Sequence, residues 1–178
     1  MIIGLSGKAG SGKDTVAQIL VEEFGYKRVA FGDKIKECLL ALDPIVWRVA
    51  QRGSIGTLSE LVAEFGWDYI KQDSEVRRLL QRMGTEVGRN ILWKDIWVNL
   101  VLENVSSSEN VIITDVRFSN ELQEIYDYQG KVWRIERDIP AVNSHSSETE
   151  LDDWEFDRVI SNNGTLEELA NRVREAMG

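Results

Sequence analysis

Short apolar runs alternate with amphipathic stretches along the chain. Five runs are rich in β-branched residues or alternate between apolar and polar positions, which predicts strands at residues 2–6, 26–31, 111–116, 131–137 and 157–162. Elsewhere apolar residues recur at helical spacing, which predicts helices at residues 14–24, 33–42, 57–70, 74–91, 94–105, 119–130 and 165–177. Strands that alternate with helices form a parallel sheet covered on both faces, so we predict an α/β fold.

Two segments do not follow this alternation. Residues 45–57 show no clear period, and residues 138–154 have the polar composition of a long loop. We find no internal repeat, low-complexity run or linker, so we expect one domain.

Composition narrows the classes of function. The 178 residues carry a net charge of −9, which argues against a nucleic acid polymer as the main partner. No apolar run reaches the roughly 18 residues that a membrane span needs. The first residues lack the basic flank and cleavage site of a secretory signal. A single cysteine cannot form an internal disulfide, and with a single histidine it offers too few ligands for a typical zinc site. We therefore expect a cytoplasmic protein with a small anionic ligand.

A glycine-rich turn lies between the first strand and the first helix. Residues 7–13 match the first seven positions of the phosphate-binding motif G-x-x-x-x-G-K-[ST], in the strand–helix context that the motif requires. Glycines let successive N–H groups point inward, and the following helix adds its own N–H groups and positive dipole end. Lys13 adds a mobile charge for β- and γ-phosphates. The turn predicts a triphosphate site, with a turn that binds no ligand as the alternative.

Asp14 stands where the motif has Ser or Thr, and the hydroxyl follows one residue later, at Thr15. A carboxylate in the first turn of a helix is favourable for the dipole, which alone would explain Asp14. Beside a triphosphate the carboxylate would be repelled unless a cation lies between them. We hypothesise that Thr15 or Asp14 helps to hold Mg²⁺, directly or through water.

Charged residues follow the predicted strand at 111–116. Asp115 lies at its carboxyl end, where ligands collect in open α/β sheets, and Arg117 can bind a phosphate with two hydrogen bonds. Alternatively, Asp115 caps the helix that begins near Ser119 and pairs with Arg117.

Two groups of arginines are candidates for phosphate binding. Arg78 and Arg82 share a helix face, and we expect residues 83–85 to interrupt that helix. A solvated basic face is the alternative. At the end of the fourth strand, Arg137 is nearer than Arg134 to the polar loop that can close over a triphosphate. Ordinary surface pairing with neighbouring carboxylates is the alternative there.

A turn at residues 162–164 ends the last predicted strand. In sheets of this kind such a turn lies close enough to the glycine-rich turn to touch a purine base. Capping of the helix that starts near Thr165 explains these residues equally well.

Together these stretches resemble the deoxynucleoside monophosphate kinases of large bacteriophages, a branch of the nucleoside monophosphate kinases. The resemblance is carried by residues 6–15, 30–36, 76–86, 97–98, 114–121, 134–137 and 162–169. It implies a three-layer α/β/α P-loop NTPase fold with a five-stranded parallel sheet in a single kinase domain. Within that domain it implies a helical acceptor-binding region at about 33–105 and a lid at about 138–154.

The resemblance also assigns roles to individual residues. The donor phosphates of Mg-ATP would bind to Ala9, Gly10, Ser11, Gly12, Lys13, Asp14 and Thr15. The acceptor nucleotide would bind to Lys36, Arg78, Gly84, Thr85, Trp97, Asp115, Arg117 and Glu121. The transfer itself would depend on Lys13, Arg117 and Arg137. Two departures stand out: the helical insertion before residue 76 is shorter than in the family, and Asp138 replaces the proline that follows the lid arginine.

The activity that the resemblance implies is transfer of the ATP γ-phosphate to a deoxynucleoside 5′-monophosphate, giving the diphosphate for DNA precursor supply. A phosphate acceptor is already anionic at neutral pH, so positioning and charge neutralisation can suffice. The alternatives are another small-molecule kinase, of the dephospho-coenzyme A or phosphomevalonate type, and a nucleotide-binding regulatory module that is not a kinase. The resemblance also implies a bacteriophage source, hence a host cytoplasm, and is compatible with a homodimer.

Overall fold

The computed structural model describes residues 1–49, 54–106, 108–138 and 150–178. These residues form two compact units, one comprising Met1–Phe31 with Val101–Gly178 and the other Gly32–Leu100. The segment predicted as a lid, 138–154, falls mainly on residues 139–149, which lie outside the described ranges.

The strands, in chain order, are β1 (Ile2–Ser6), β2 (Lys27–Val29), β3 (Ile45–Val49), β4 (Ser54–Thr57), β5 (Val111–Ile113), β6 (Lys131–Glu136) and β7 (Arg158–Ser161). The α-helices are α1 (Lys13–Phe24), α2 (Phe31–Leu42), α3 (Leu58–Phe65), α4 (Trp67–Ile70), α5 (Ser74–Gln81), α6 (Ile96–Leu102), α7 (Ser119–Asp127) and α8 (Leu166–Met177). A π-helix, Arg82–Leu92, follows α5 directly. Within the described part of the chain, no helix combines the length and the apolar character that crossing a membrane would require.

The first unit is built on a five-stranded sheet with the order β2-β5-β1-β6-β7. All its strand pairs are parallel, and β1 lies in the middle between β5 and β6. All five strands that the sequence pattern predicts are present. Because neighbouring parallel strands end at the same edge, the residues that follow β1, β5, β6 and β7 share that edge.

Helices cover both faces of this sheet. Ile3 and Leu5 of β1 belong to a buried cluster with residues of α1 and α8. Gly4 points the other way, where a Cβ atom would lie 2.8 Å from Cδ1 of Ile125 in α7. Alternate residues of β1 therefore face helices on opposite sides of the sheet, and the predicted three-layer α/β/α arrangement is confirmed.

The second unit contains an antiparallel hairpin of β3 and β4 and a cluster of short helices. Its core consists of Leu39, Val46, Leu58, Leu61, Ile70 and Val76. The two strands, at residues 45–49 and 54–57, come from a segment that shows no clear period in the sequence. Val46 is buried while Trp47 is 64% exposed, so apolar residues occupy both faces and the period of two is hidden.

The helix at residues 74–91 is not interrupted at residues 83–85, so that prediction was wrong. The chain passes from α5 into the π-helix with Arg82 in helical geometry, at φ −62° and ψ −47°. The backbone N–H of Trp93 closes the π-helix on the carbonyl of Gly88, five residues back, over 2.9 Å. A π-helix of 11 residues is unusual, because most π-helices are single turns within α-helices.

Candidate active site

The glycine-rich turn follows β1 and lies against the end of β6. Gly7 has a φ of 145°, and a Cβ atom there would lie 2.4 Å from the carbonyl oxygen of Ile135. Gly12, at φ 102°, is the N-cap of α1. Only glycine combines these torsions with so close an approach of backbone, so the motif spacing reflects real steric demands.

Positive potential is concentrated at this turn. The Nζ atom of Lys13 donates hydrogen bonds to the carbonyl oxygens of Gly7, over 2.6 Å, and Lys8, over 2.9 Å. The side chain thus folds back over the turn, where the first N–H groups and the positive dipole end of α1 also lie. This arrangement is suited to a polyphosphate.

The middle of the turn combines exposed backbone with one buried hydroxyl. Ala9 and Gly10 are exposed, whereas Ser11 is buried. The backbone N–H of Ser11 donates to the carbonyl of Lys8 over 3.1 Å. Its hydroxyl has no hydrogen-bond partner among the residues the structure describes. A buried hydroxyl of this kind is a further donor that a bound anion can satisfy.

Asp14 and Thr15 lie in the first turn of α1, the former exposed and the latter half-buried. Over the described ranges, no group of three or more His, Cys, Asp or Glu side chains could hold a metal ion by itself. Mg²⁺ does not need such a group, because it commonly takes one or two protein ligands and fills its shell with water and phosphate oxygens. The Thr15 hydroxyl and the Asp14 carboxylate are chemically suitable ligands of that type.

The residues after β5 form a tight polar turn. Oδ1 of Asp115 accepts a hydrogen bond from the backbone N–H of Phe31 over 2.9 Å. Oε2 of Glu121 accepts from the N–H groups of Arg117, over 2.7 Å, and Phe118, over 3.1 Å. Glu121 is 2% exposed, so this buried carboxylate caps α7 and fixes the backbone that carries Arg117.

The two arginines at the end of β6 have different environments. Arg134 is 8% exposed, donates to the hydroxyl of Ser6 over 3.3 Å and pairs with Asp152. Its guanidinium carbon also lies 5.5 Å from the centre of the Phe156 ring. Arg137 follows the strand and is exposed. Arg134 is therefore held within the fold, and Arg137 is the arginine available to a ligand.

In the second unit, the predicted acceptor residues come from several elements. In α2, Nζ of Lys36 lies 2.8 Å from Oδ1 of Asp33 and 5.9 Å from the centre of the Trp67 ring. Arg78 of α5 and Thr85 of the π-helix are exposed.

Gly84 and Trp97 are buried and in contact with each other. The indole N–H of Trp97 donates to the carbonyl of Gly84 over 2.7 Å. A Cβ atom at Gly84 would also lie 2.9 Å from Cδ1 of Ile35, so the helix passes close to α2 here.

The predicted residues are thus divided between the units. The first carries residues 9–15, Asp115, Arg117, Glu121 and Arg137, and the second carries Lys36, Arg78, Gly84, Thr85 and Trp97. Sequence reasoning missed one contact of the glycine-rich turn, from the side chain of Asn162 to the carbonyl of Ser11, 2.8 Å apart. An asparagine at the end of a strand beside the turn was the available signal, and its partner could not be read from the sequence.

Comparison with known proteins gives consistent matches. The family described as deoxynucleotide monophosphate kinase matches residues 54–173, more than half of the chain. A putative deoxynucleotide monophosphate kinase of Acanthamoeba polyphaga mimivirus is 29% identical, covering 97% of this chain and 94% of the relative. The deoxynucleotide monophosphate kinase of Escherichia phage RB69 is 30% identical, and the match covers 57% of this chain and 44% of the phage protein. The deoxynucleoside-5′-monophosphate kinase of Escherichia phage T5 is 23% identical, and the match covers 68% of this chain and 70% of the phage protein.

Several of the solved structures that match this chain are kinases. Shikimate kinase from Aquifex aeolicus matches with a TM-score of 0.49 and 13% identity, over 99% of this chain and 96% of that one. Dephospho-CoA kinase from Campylobacter jejuni matches with a TM-score of 0.46 and 16% identity, over 99% and 95%.

Proposed function

The chain belongs to the deoxynucleotide monophosphate kinase family, and from this premise we propose that it transfers the γ-phosphoryl group of ATP to a deoxynucleoside 5′-monophosphate. The product is the corresponding diphosphate, a precursor for DNA synthesis. The observation that carries the proposal is the glycine-rich turn with Lys13 folded over it. This turn lies outside the matched residues 54–173, so it supports kinase chemistry independently of the family match.

The donor triphosphate would bind along the turn at residues 9–15. Backbone N–H groups and the amino end of α1 supply fixed partial charges, and Lys13 supplies a full charge that can exchange its two carbonyl partners for β- and γ-phosphate oxygens. The exchange would exclude water from the ammonium and strengthen its interaction with phosphate.

A magnesium ion fits this site through Thr15 or Asp14, either directly or through water. When bound, it would supply positive charge that neutralises the phosphates during the transfer. The chain's own contribution is to place one carboxylate and one hydroxyl in the first turn of α1, in the two residues that follow Lys13.

The acceptor nucleotide would be held by residues of two kinds. Exposed or half-buried side chains would contact it directly, namely Lys36, Arg78, Thr85, Asp115 and Arg117. Buried side chains would act through the backbone that they hold. Trp97 fixes the carbonyl of Gly84, and Glu121 fixes the N–H of Arg117.

The transfer would proceed in line, with the acceptor phosphate oxygen attacking the γ-phosphorus of ATP while the bond to the β-phosphate oxygen breaks. The attacking oxygen is anionic at neutral pH and needs no general base. Catalysis would therefore come from positioning and from neutralisation of charge by Lys13, Arg117 and Arg137.

A coupled assay of ADP formation tests the proposal. It is run with Mg-ATP and a panel of all common deoxy- and ribonucleoside monophosphates, together with dephospho-coenzyme A and phosphomevalonate. We expect at least one deoxynucleoside monophosphate to accelerate ADP formation well above the rate without acceptor, with the diphosphate as product. A panel in which only dephospho-coenzyme A or phosphomevalonate responds would transfer the assignment to those kinases. A panel without any response would favour a nucleotide-binding module.

A further inference from the structure

Two adjacent asparagines extend the edge of the sheet where the phosphate-handling residues lie. Asn162 and Asn163 follow β7 directly, and the backbone N–H of Asn162 donates to the carbonyl of Glu136 over 2.6 Å. This bond continues the pairing of β6 with β7 one residue past the end of β7. The two side chains then contact two different segments of the first unit.

The side chain of Asn162 contacts the glycine-rich turn. Its Nδ2 donates to the carbonyl oxygen of Ser11 over 2.8 Å, and a Cβ atom at Gly12 would lie only 2.2 Å from the same nitrogen. The carbonyl of Ser11 and the N–H of Gly12 belong to one planar trans peptide, so they point in opposite directions. By holding the carbonyl, Asn162 turns the N–H of Gly12 away from itself.

The side chain of Asn163 contacts the residue after Arg137. Its Oδ1 accepts from the backbone N–H of Asp138 over 2.7 Å, and its Nδ2 donates to Oδ2 of Asp138 over 2.8 Å. These two bonds close a ring that fixes the backbone of Asp138. Because the N–H of Asp138 shares a peptide plane with the carbonyl of Arg137, the ring also fixes one side of Arg137.

We propose that Asn162 and Asn163 are positioning residues for phosphoryl transfer. Asn162 sets the orientation of the Ser11–Gly12 peptide in the donor site, and Asn163 sets the backbone from which Arg137 extends. One dipeptide then determines where the donor loop and Arg137 lie relative to each other. The inference rests on the proposed function, since it requires the turn to bind ATP and Arg137 to act in the transfer.

A purely structural role would look different. Asn163 and Asp138 are exposed and Asn162 is half-buried, so water competes for these hydrogen bonds. Hydrogen bonds that water can replace contribute little to global stability. The effect of removing them should therefore be seen in ligand affinity and in turnover, while the thermal unfolding midpoint stays nearly unchanged.

The first experiment tests the donor side. Calorimetry with Mg-ATP alone compares the wild type with Asn162→Ala and, as the matched control, Asn163→Ala. We expect the Kd for ATP to rise about fivefold in Asn162→Ala, the effect of about one hydrogen bond, and to stay within about twofold in Asn163→Ala. Equal Kd values in all three proteins would overturn the role of Asn162.

The second experiment exchanges the partners at the other contact. Asn163→Asp places a second carboxylate next to that of Asp138, and the two repel each other. We expect the kcat of this variant to fall about tenfold while the KM for ATP is unchanged. The double variant Asp138→Asn/Asn163→Asp restores a donor–acceptor pair at unchanged net charge, and its kcat should recover. In an Arg137→Ala background, Asn163→Asp should cause no further loss.

The outcomes separate this inference from the function on which it rests. A wild type that phosphorylates no monophosphate would refute the proposed function. An active wild type whose kcat is unaffected by Asn163→Asp would overturn the positioning role alone. Failure of the double variant to recover, or an equal further loss in the Arg137→Ala background, would also overturn it.

Discussion

The indole N–H of Trp97 is bonded to the carbonyl oxygen of Gly84 over 2.7 Å, inside the second unit. That carbonyl lies in the π-helix, where the regular pattern of the α-helix is shifted by one residue. Trp97 is 1% exposed, and a Cβ atom at Gly88 would lie 2.4 Å from its ring. The indole therefore fixes the course of the π-helix on both sides of Thr85.

Replacing Trp97 by Phe should weaken acceptor binding. The Trp97→Phe variant keeps an aromatic ring but removes the donor to Gly84, which we expect to lower the free energy of unfolding by about 1–2 kcal/mol. The KM for the monophosphate should rise several-fold, while the KM for ATP stays constant. Trp93→Phe is the matched control because Trp93 is 54% exposed. Equal effects of the two substitutions would contradict this account.

Replacing Lys13 by Ala should remove most of the turnover. The substitution deletes the ammonium group that folds over the glycine-rich turn, and we expect kcat to fall by about a hundredfold or more. Lys131→Ala serves as the control, since this exposed lysine begins β6 at the opposite edge of the sheet. Steady-state kinetics at saturating acceptor measure both. Near-normal turnover in Lys13→Ala would rule out the donor site described above.

The contrast between the sheet and the hairpin shows which parts of the fold can be predicted from sequence. The strand Val111–Ile113 is buried on both faces and therefore stands out as a continuous β-branched run. In β3 the exposed Trp47 lies beside the buried Val46, so composition does not reveal which face is inside. The π-helix was not predictable, because the apolar spacing of a π-helix over a few turns differs little from that of an α-helix.

The candidate site likewise has a part that the sequence predicts and contacts that it does not predict. The glycine-rich turn is local in sequence, and its spacing alone predicts its geometry. The contact of Asn162 with Ser11 joins residues 151 positions apart, and that of Trp97 with Gly84 joins residues 13 apart. Such pairs depend on strand order and helix packing, which no local motif specifies.

Substitution of the two arginines near the end of β6 should separate stability from activity. Arg134→Met removes a buried charge that pairs with Asp152 and Ser6, and we expect the free energy of unfolding to fall by about 2–4 kcal/mol. Arg137→Met should change it by less than about 0.5 kcal/mol, because that side chain is exposed. Its kcat should instead fall at least about a hundredfold. Urea titration measures the stability and steady-state kinetics measure kcat. If Arg134→Met instead lowered kcat and Arg137→Met lowered the stability, Arg134 would be the arginine that acts in the transfer.

Variants of the first turn of α1 should identify the magnesium ligand. Asp14→Asn and Thr15→Val each remove one suitable group, and we expect the Mg²⁺ concentration for half-maximal rate to rise about tenfold for the one that holds the ion. Glu22→Gln is the control, since it removes an exposed carboxylate farther along the same helix. A Mg²⁺ dependence identical in all three variants would exclude both candidates.

The contact between α1 and α8 should make stability depend on pH in a defined direction. The carboxylate of Glu23 accepts two hydrogen bonds from Arg174. Oε2 accepts from Nε and Oε1 accepts from Nη2, and both donor–acceptor distances are 2.7 Å. These bonds hold the pKa of the Glu23 carboxyl below its ordinary value of 4.5. A carboxyl whose pKa is lower in the folded state stabilises the fold above its unfolded pKa, and the contribution is lost as the pH falls through the folded pKa.

We therefore expect Glu23→Gln to lower the urea midpoint at about pH 6, and the difference from the wild type to shrink as the pH falls, because the carboxylate then becomes protonated in the folded state as well. The variants Arg174→Gln and Glu23→Gln/Arg174→Gln complete a double-mutant cycle that isolates the pair from the other contacts of each side chain. The coupling in this cycle should decline on acidification because only the charged carboxylate attracts the guanidinium. A coupling that stays constant across this range would mean that helix packing, rather than the ion pair, joins α1 to α8 at this point.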